Sequence, residues 1–149
     1  MSDYIEREKS TMKDYRGTRY PSIEKPWLKY YTAEQLCIDL PGMNVYEYMK
    51  QCNIDNVDKV ALDYEFVSIT YRELFERIDA AANSLTAIGI SEGDTITSCL
   101  PNIPEAVYLI YAAAKIGARI DLIDPLTNRS LLAKYCDNAD SRVFLHWIL

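Results

Sequence analysis

A handful of side chains in this sequence have the chemistry to do work at a site. Cys99 closes the run TITSC, just ahead of a helical stretch that opens at Pro104. A cysteine at a strand's C-terminal end, facing a helix N-terminus, is a candidate thiolate nucleophile. That end of an open α/β sheet collects ligands, and the helix dipole favours a negative sulfur there. The plainer reading, a buried small apolar side chain, outweighs it. Asn102 stands at the same edge and suits N-capping of the helix through Pro104 better than catalysis. Asp121, Asp124 and Glu105 form a second candidate, an acidic cluster for a divalent cation. Against it, Asp124 precedes Pro125 as a turn residue does, and Asp121 can cap or pair locally. On these grounds no residue is assigned a catalytic, cofactor-binding or metal-binding role.

Phosphate chemistry finds no support in the motifs. There is no GxxxxGK[ST] and no GxGxxG, and the five glycines are Gly17, Gly42, Gly89, Gly93 and Gly117. The last three fall at helix ends or turns, so none is spare for a phosphate cradle. With His146 as the only histidine, fourth from the end, serine-hydrolase chemistry fails too. Cys37, Cys52, Cys99 and Cys136 contain no CxxC pair, which argues for free thiols in a reducing compartment, the cytoplasm.

The elements that must position these residues are well punctuated. Asn44 and Glu47 suit a capping box opening a helix over 44–52, with Val45, Tyr48, Met49 and Cys52 on one face. VALDY (60–64) and VSIT (67–70) predict a hairpin turning at Glu65 and Phe66. Thr70 and Glu73 form a second capping box. Behind it Leu74, Ile78, Ala81, Ala82, Leu85 and Ile88 recur at helical spacing up to Gly89. Gly93 and Asp94 turn the chain into the strand TITSCL. Pro104 opens PEAVYLIYAAAKIG, apolar almost all round and therefore expected to be buried on more than one side. RIDLI (119–123) predicts a strand. Thr127 or Asn128 caps a helix running to about Asn138, with Leu131, Leu132 and Tyr135 inward, and RVFL (142–145) predicts a last strand. Strands alternating with helices imply an open, mainly parallel sheet with helices on both faces.

Length and charge set the bounds. The 149 residues suffice for one ordinary core, and 49% apolar with 26% charged residues is a globular composition. A net charge of −6 opposes electrostatic nucleic-acid binding. No run approaches the ~20 apolar residues of a membrane span. The charged start MSDYIEREKS does not read as a secretory signal. Residues 1–31 are polar, tyrosine-rich and broken by Pro21 and Pro26. They are expected to be an extended, partly disordered lead-in anchored by Trp27, Leu28, Tyr30 and Tyr31. Residues 32–149 are expected to be the α/β body.

Together these elements resemble the N-terminal portion of the adenylate-forming, AMP-binding superfamily of acyl-CoA synthetases and ligases. The likeness rests on Thr70–Tyr71–x–Glu73–Leu74, Ala81/Ala82–Asn83–x–Leu85, Gly89–Ile90–x–x–Gly93–Asp94, Leu100–Pro101–Asn102–x–Pro104–Glu105 and Ala114–x–x–Gly117–Ala118. It covers about 44–145. The Pro26–Trp27–Leu28–x–x–Tyr31 run looks most like long-chain fatty acyl-CoA ligases. Asp124 departs from the asparagine the family often has before its proline. The resemblance implies that the complete enzyme joins ATP to a fatty acid with release of pyrophosphate, then passes the acyl group to coenzyme A, with Mg²⁺ assisting. It also implies that the phosphate loop and C-terminal domain lie further on. Residues 32–149 are then expected to be a truncated N-terminal α/β subdomain, inactive alone and holding no cofactor. The competing expectation is a non-catalytic interaction module that self-associates through an exposed apolar sheet or edge.

Overall fold

The computed structural model describes residues 20–36 and 41–146. The chain divides into two compact units, Met1–Pro41 and Gly42–Leu149. The first unit is not extended where it is described. It forms helix α1 (Pro21–Glu24), a 3₁₀ turn (Pro26–Tyr30) and helix α2 (Ala33–Leu36). Pro21 and Pro26 each open a turn at its first position, where a missing N–H costs nothing, and Lys25 between them takes a left-handed φ of 42°. The expected anchors Trp27, Tyr30 and Tyr31 are exposed, and only Leu28 is half-buried. The expectations for residues 1–19, Cys37 and the last three residues lie outside the described residues.

The second unit carries the core. Helix α3 (Val45–Cys52) opens on the predicted capping box: Asn44 accepts from the Glu47 amide at 2.9 Å, while Glu47 accepts from the Asn44 amide at 3.2 Å. Strands β1 (Val60–Tyr64) and β2 (Val67–Thr70) pair antiparallel, with an irregularity between Val60 and Leu62. Glu65 and Phe66 turn the hairpin with φ of 45° and 72°, the two-residue pattern that matches strand twist. Thr70 then caps helix α4 (Tyr71–Ala87), again with a full box to Glu73.

The sheet follows. Strand β3 (Thr95–Cys99) lies between β4 (Arg119–Leu122) and β5 (Val143–His146), both parallel to it. Every residue of β3 is buried, as a central strand covered on both faces should be. Ile96, Ile120, Val143 and Leu145 join the main core, built with helices α4 and α5 (Pro104–Lys115). Cys99 has the opposite parity and clusters instead with Ile123 and with Leu132 of helix α6 (Arg129–Asn138). Helices thus cover both faces of an open parallel sheet. Among the described residues no helix is long and apolar enough to cross a membrane.

Four sequence expectations are corrected at the level of faces and caps. Helix α3 buries Tyr46, at 4% exposure, while Val45 and Tyr48 are exposed. The reason is a partner: the Tyr46 ring meets Phe75 edge-on at 6.5 Å, and its hydroxyl donates to Asp79. Ile88 is 60% exposed because α4 has already ended at Ala87. Gly89, at φ 89°, redirects the chain and buries Ile90 in its place. On α6 only Leu132 is buried, and Leu131 and Tyr135 stay exposed. Asn102 is no cap: Ile103 occupies that position without a side-chain bond, and Pro104 at the first helical position leaves one fewer amide to satisfy.

Candidate functional site

The C-terminal edge of the sheet brings together most of the residues singled out by chemistry. The loop between β4 and α6 is held by Asp124. Its carboxylate accepts from the Leu126 amide at 2.8 Å and its carbonyl from the Thr127 amide at 2.9 Å, the turn role expected of it. Asn128, not Thr127, caps α6 by accepting from the Leu131 amide. Loop and helix enclose an open cleft of about 530 Å³, with Asp121, Ile123, Asp124, Thr127, Tyr135 and Asn138 among its lining residues.

Cys99 lies beneath this edge with no exposed surface, its thiol donating to the Asp124 carbonyl at 3.5 Å. Burial pushes the thiol up from its ordinary range, and the charges of Asp124 and Cys136 push the same way. A catalytic thiolate needs exposure to substrate and the opposite shift, so Cys99 packs here as a small apolar core residue. Its neighbour Ser98 is buried too, and its hydroxyl has no partner.

The proposed cation cluster does not assemble. Asp121 accepts from the Thr97 hydroxyl at 3.4 Å, and Asp124 serves the turn. Glu105 sits in the first turn of α5, where its charge adds, beneath burial, to the raised Tyr108 phenol and, beneath burial and Glu65, to that of Tyr64. Among the described residues no group of three His, Cys, Asp or Glu side chains could hold a metal ion. Nor does the cleft fit a polyphosphate: two carboxylates line it and no lysine or arginine does. Gly89, Gly93 and Gly117, at φ of 89°, 83° and 73°, are all spent on turns.

The charged network that does form is elsewhere, and sequence reading missed it. Asp79 accepts from the Tyr46 hydroxyl at 2.9 Å and from the Lys115 ammonium at 2.6 Å, joining α3, α4 and α5. The signal available was a carboxylate next to Ile78 in the apolar stripe of α4. A second network ties the sheet's other end: Arg142 donates to both Asp94 carboxylate oxygens at 3.1 and 2.9 Å, and Arg119 donates to the Gly93 carbonyl at 2.6 Å. Both networks tie separate elements together.

An open parallel sheet with helices on both faces is the architecture of an α/β domain. Residues 50–147 match the family described as AMP-binding enzyme, and the chain belongs to that family. Acetyl-coenzyme A synthetase of Dictyostelium discoideum is 32% identical over 111 residues, covering 70% of this chain and 16% of that protein. Acetyl-coenzyme A synthetase 1 of Candida albicans is 32% identical over 120 residues, covering 72% and 18%. The chain therefore spans less than a fifth of the length of these relatives. Among solved structures, the N-terminal subdomain of Klebsiella oxytoca NpsA in complex with anthranilyl-AMSN superposes with a TM-score of 0.67 at 25% identity, covering 70% of this chain and 27% of that one. The N-terminal domain of Mycobacterium tuberculosis FACL13, bound to an inhibitor, gives a TM-score of 0.65 at 26% identity, with 70% and 27% covered. The fold is thus that of the N-terminal subdomain of AMP-binding enzymes, as the sequence motifs implied.

Proposed function

We propose that this chain supplies the first α/β subdomain of an ATP-dependent acyl-CoA synthetase. In the whole protein a carboxylic acid reacts with ATP to give an acyl-adenylate and pyrophosphate. The acyl group then passes to coenzyme A, releasing AMP. Mg²⁺ neutralises phosphate charge when bound. The observation that carries this reading is the match of residues 50–147 to the AMP-binding family, together with acetyl-CoA synthetase relatives over 70% of the chain.

Within that reaction residues 42–146 are scaffold. They hold the sheet edge and the cleft wall, and they carry none of the groups that ATP or coenzyme A chemistry requires. The chain alone is inactive, and its unpaired cysteines suit a reducing cytoplasm. The long-chain likeness rests on the Pro26–Trp27–Leu28 run, outside the matched segment, whereas the relatives named above point to a small acid.

ATP–pyrophosphate exchange with a series of acids from acetate to palmitate tests the reading. The protein encoded by the complete gene is expected to exchange with one length class, and residues 1–149 with none. Exchange by residues 1–149 alone overturns the scaffold role. A second reading, a self-associating module without catalysis, is favoured by Leu122, Leu126 and Phe144, apolar residues exposed at or just past the outer strands. Absence of exchange by the complete gene product with every acid would favour it.

A further inference from the structure

We propose that Cys99 and Cys136 are a dithiol pair that closes reversibly into a disulfide between β3 and α6, fixing one wall of the cleft at the sheet's edge. The inference is independent of the synthetase reading. Cys99 ends the central strand and packs against Leu132, the one buried residue of α6. Cys136 follows Leu132 by one helical turn, so it lies on the same face of α6, the face turned to the sheet. It is half-buried, between the two thiol environments of Cys99 and solvent, and both sulfurs are free. The charge of Cys136 is felt at Cys99, beneath the larger influences of burial and Asp124, in keeping with a shared face.

Helix α6 is suited to such a closure. A single buried side chain holds it, so it can settle toward the sheet without tearing a packed core. Tyr135 flanks Cys136 in sequence and, with Asn138, lines the cleft, so pinning Cys136 fixes that wall. Cys52 is exposed on α3 and takes no part.

The oxidant is a small disulfide such as glutathione disulfide. Cys136, the more accessible thiol, loses its proton and attacks one sulfur; the S–S bond breaks and one glutathione thiolate leaves, taking up a proton. Cys99 then breaks its bond to the Asp124 carbonyl, gives up its proton, attacks the Cys136 sulfur of the mixed disulfide and expels the second glutathione. The two protein thiols lose two electrons and two protons, and glutathione disulfide gains both. Burial makes Cys99 a slow thiol, so the second step sets the rate.

The test uses the full chain carrying Cys37→Ser and Cys52→Ser, incubated under native conditions with glutathione disulfide. Mass spectrometry is expected to find a peptide joining Cys99 to Cys136 and two free thiols falling to none. The melting temperature should rise by on the order of 10 °C, since the closed loop spans more than a quarter of the ordered unit. Dithiothreitol should reverse all three changes, and Cys136→Ser should abolish them. A stable glutathione adduct on Cys136 with Cys99 still reduced overturns the proposal. So does a linked product that melts lower than the reduced chain, because the bond would then have formed from an opened state.

Discussion

Tyr46 and Asp79 show how one hydrogen bond decides which face of a helix is buried. The sequence offers a stripe of Val45, Tyr48, Met49 and Cys52, yet α3 turns Tyr46 inward, where it packs on Phe75 and reaches Asp79 at 2.9 Å. Removing only the hydroxyl with Tyr46→Phe keeps the packing and should cost about 1 kcal/mol in urea unfolding at pH 7. The same pair sets the pH limits of stability. Burial raises the Asp79 carboxyl, but the hydrogen bonds from Lys115 and Tyr46 outweigh it and hold the group below its ordinary value of 3.8. A carboxylate lowered by folding contributes above the unfolded value, and the contribution is lost as pH falls through the folded one. Tyr46 is pushed up to about 12, first by burial and then by its bond to Asp79. Its contribution is complete below pH 10 and is lost as pH rises toward 12. Unfolding midpoints measured across pH should therefore fall on both limbs. Asp79→Asn should flatten the acid limb below about pH 4, and an unchanged acid limb in that variant would refute the assignment.

At the scale of elements, what the sequence announces is what is local. Both capping boxes, the proline at the first position of α5, the turn at Asp124 and the strand–helix alternation all depend on residues within four positions of each other. Each was readable, as were the parallel sheet and its two covered faces. The misread features depend on distant partners. The face of α3 is chosen by a residue 33 positions away, and the exposure of Ile88 by where Gly89 sends the chain. The candidate site was legible only as a neighbourhood. Cys99, Asp121 and Asp124 do share the sheet's edge, but Glu105 belongs to the α5 N-terminus, and the cleft required α6 to be in place. Two substitutions probe the local features. Thr70→Ala removes the acceptor that opens α4 and should cost about 1 kcal/mol. Phe66→Gly should do the reverse. Phe66 is fully exposed, at 106%, and holds φ at 72°, so glycine relieves a left-handed strain of about 1 kcal/mol without losing a contact. Paired thermal melts of the two variants should move in opposite directions; a fall with Phe66→Gly would show that the phenyl ring packs on something. Gly117 marks the opposite case. A Cβ there would stand 2.9 Å from Glu92 Cγ at a φ of 73°, so Gly117→Ala should destabilise.

For the molecule as a whole, the sheet poses an unfinished problem. Among the described residues β4 and β5 each pair on one side only, so two rows of strand amides and carbonyls are left without ladder partners. Leu122 on β4 and Phe144 on β5 are 60% and 42% exposed, and Leu126, just past β4, is 91% exposed. Exposed apolar side chains beside an open edge favour pairing with another strand, whether from more of the same protein or from a second copy. For residues 1–149 in isolation a second copy is the expected partner, so they should self-associate at micromolar concentration. Light scattering should give a mass above one chain, and a dye that fluoresces on apolar surfaces should bind more as the protein is diluted and the contact opens. Lysine on an outer strand blocks edge-to-edge pairing at small cost to the fold. Leu122→Lys should therefore shift the mass toward one chain while leaving the circular dichroism unchanged. A monomeric wild-type chain that binds no dye at any concentration would mean that the edges are closed by something within the 149 residues, and the self-association would have to be given up.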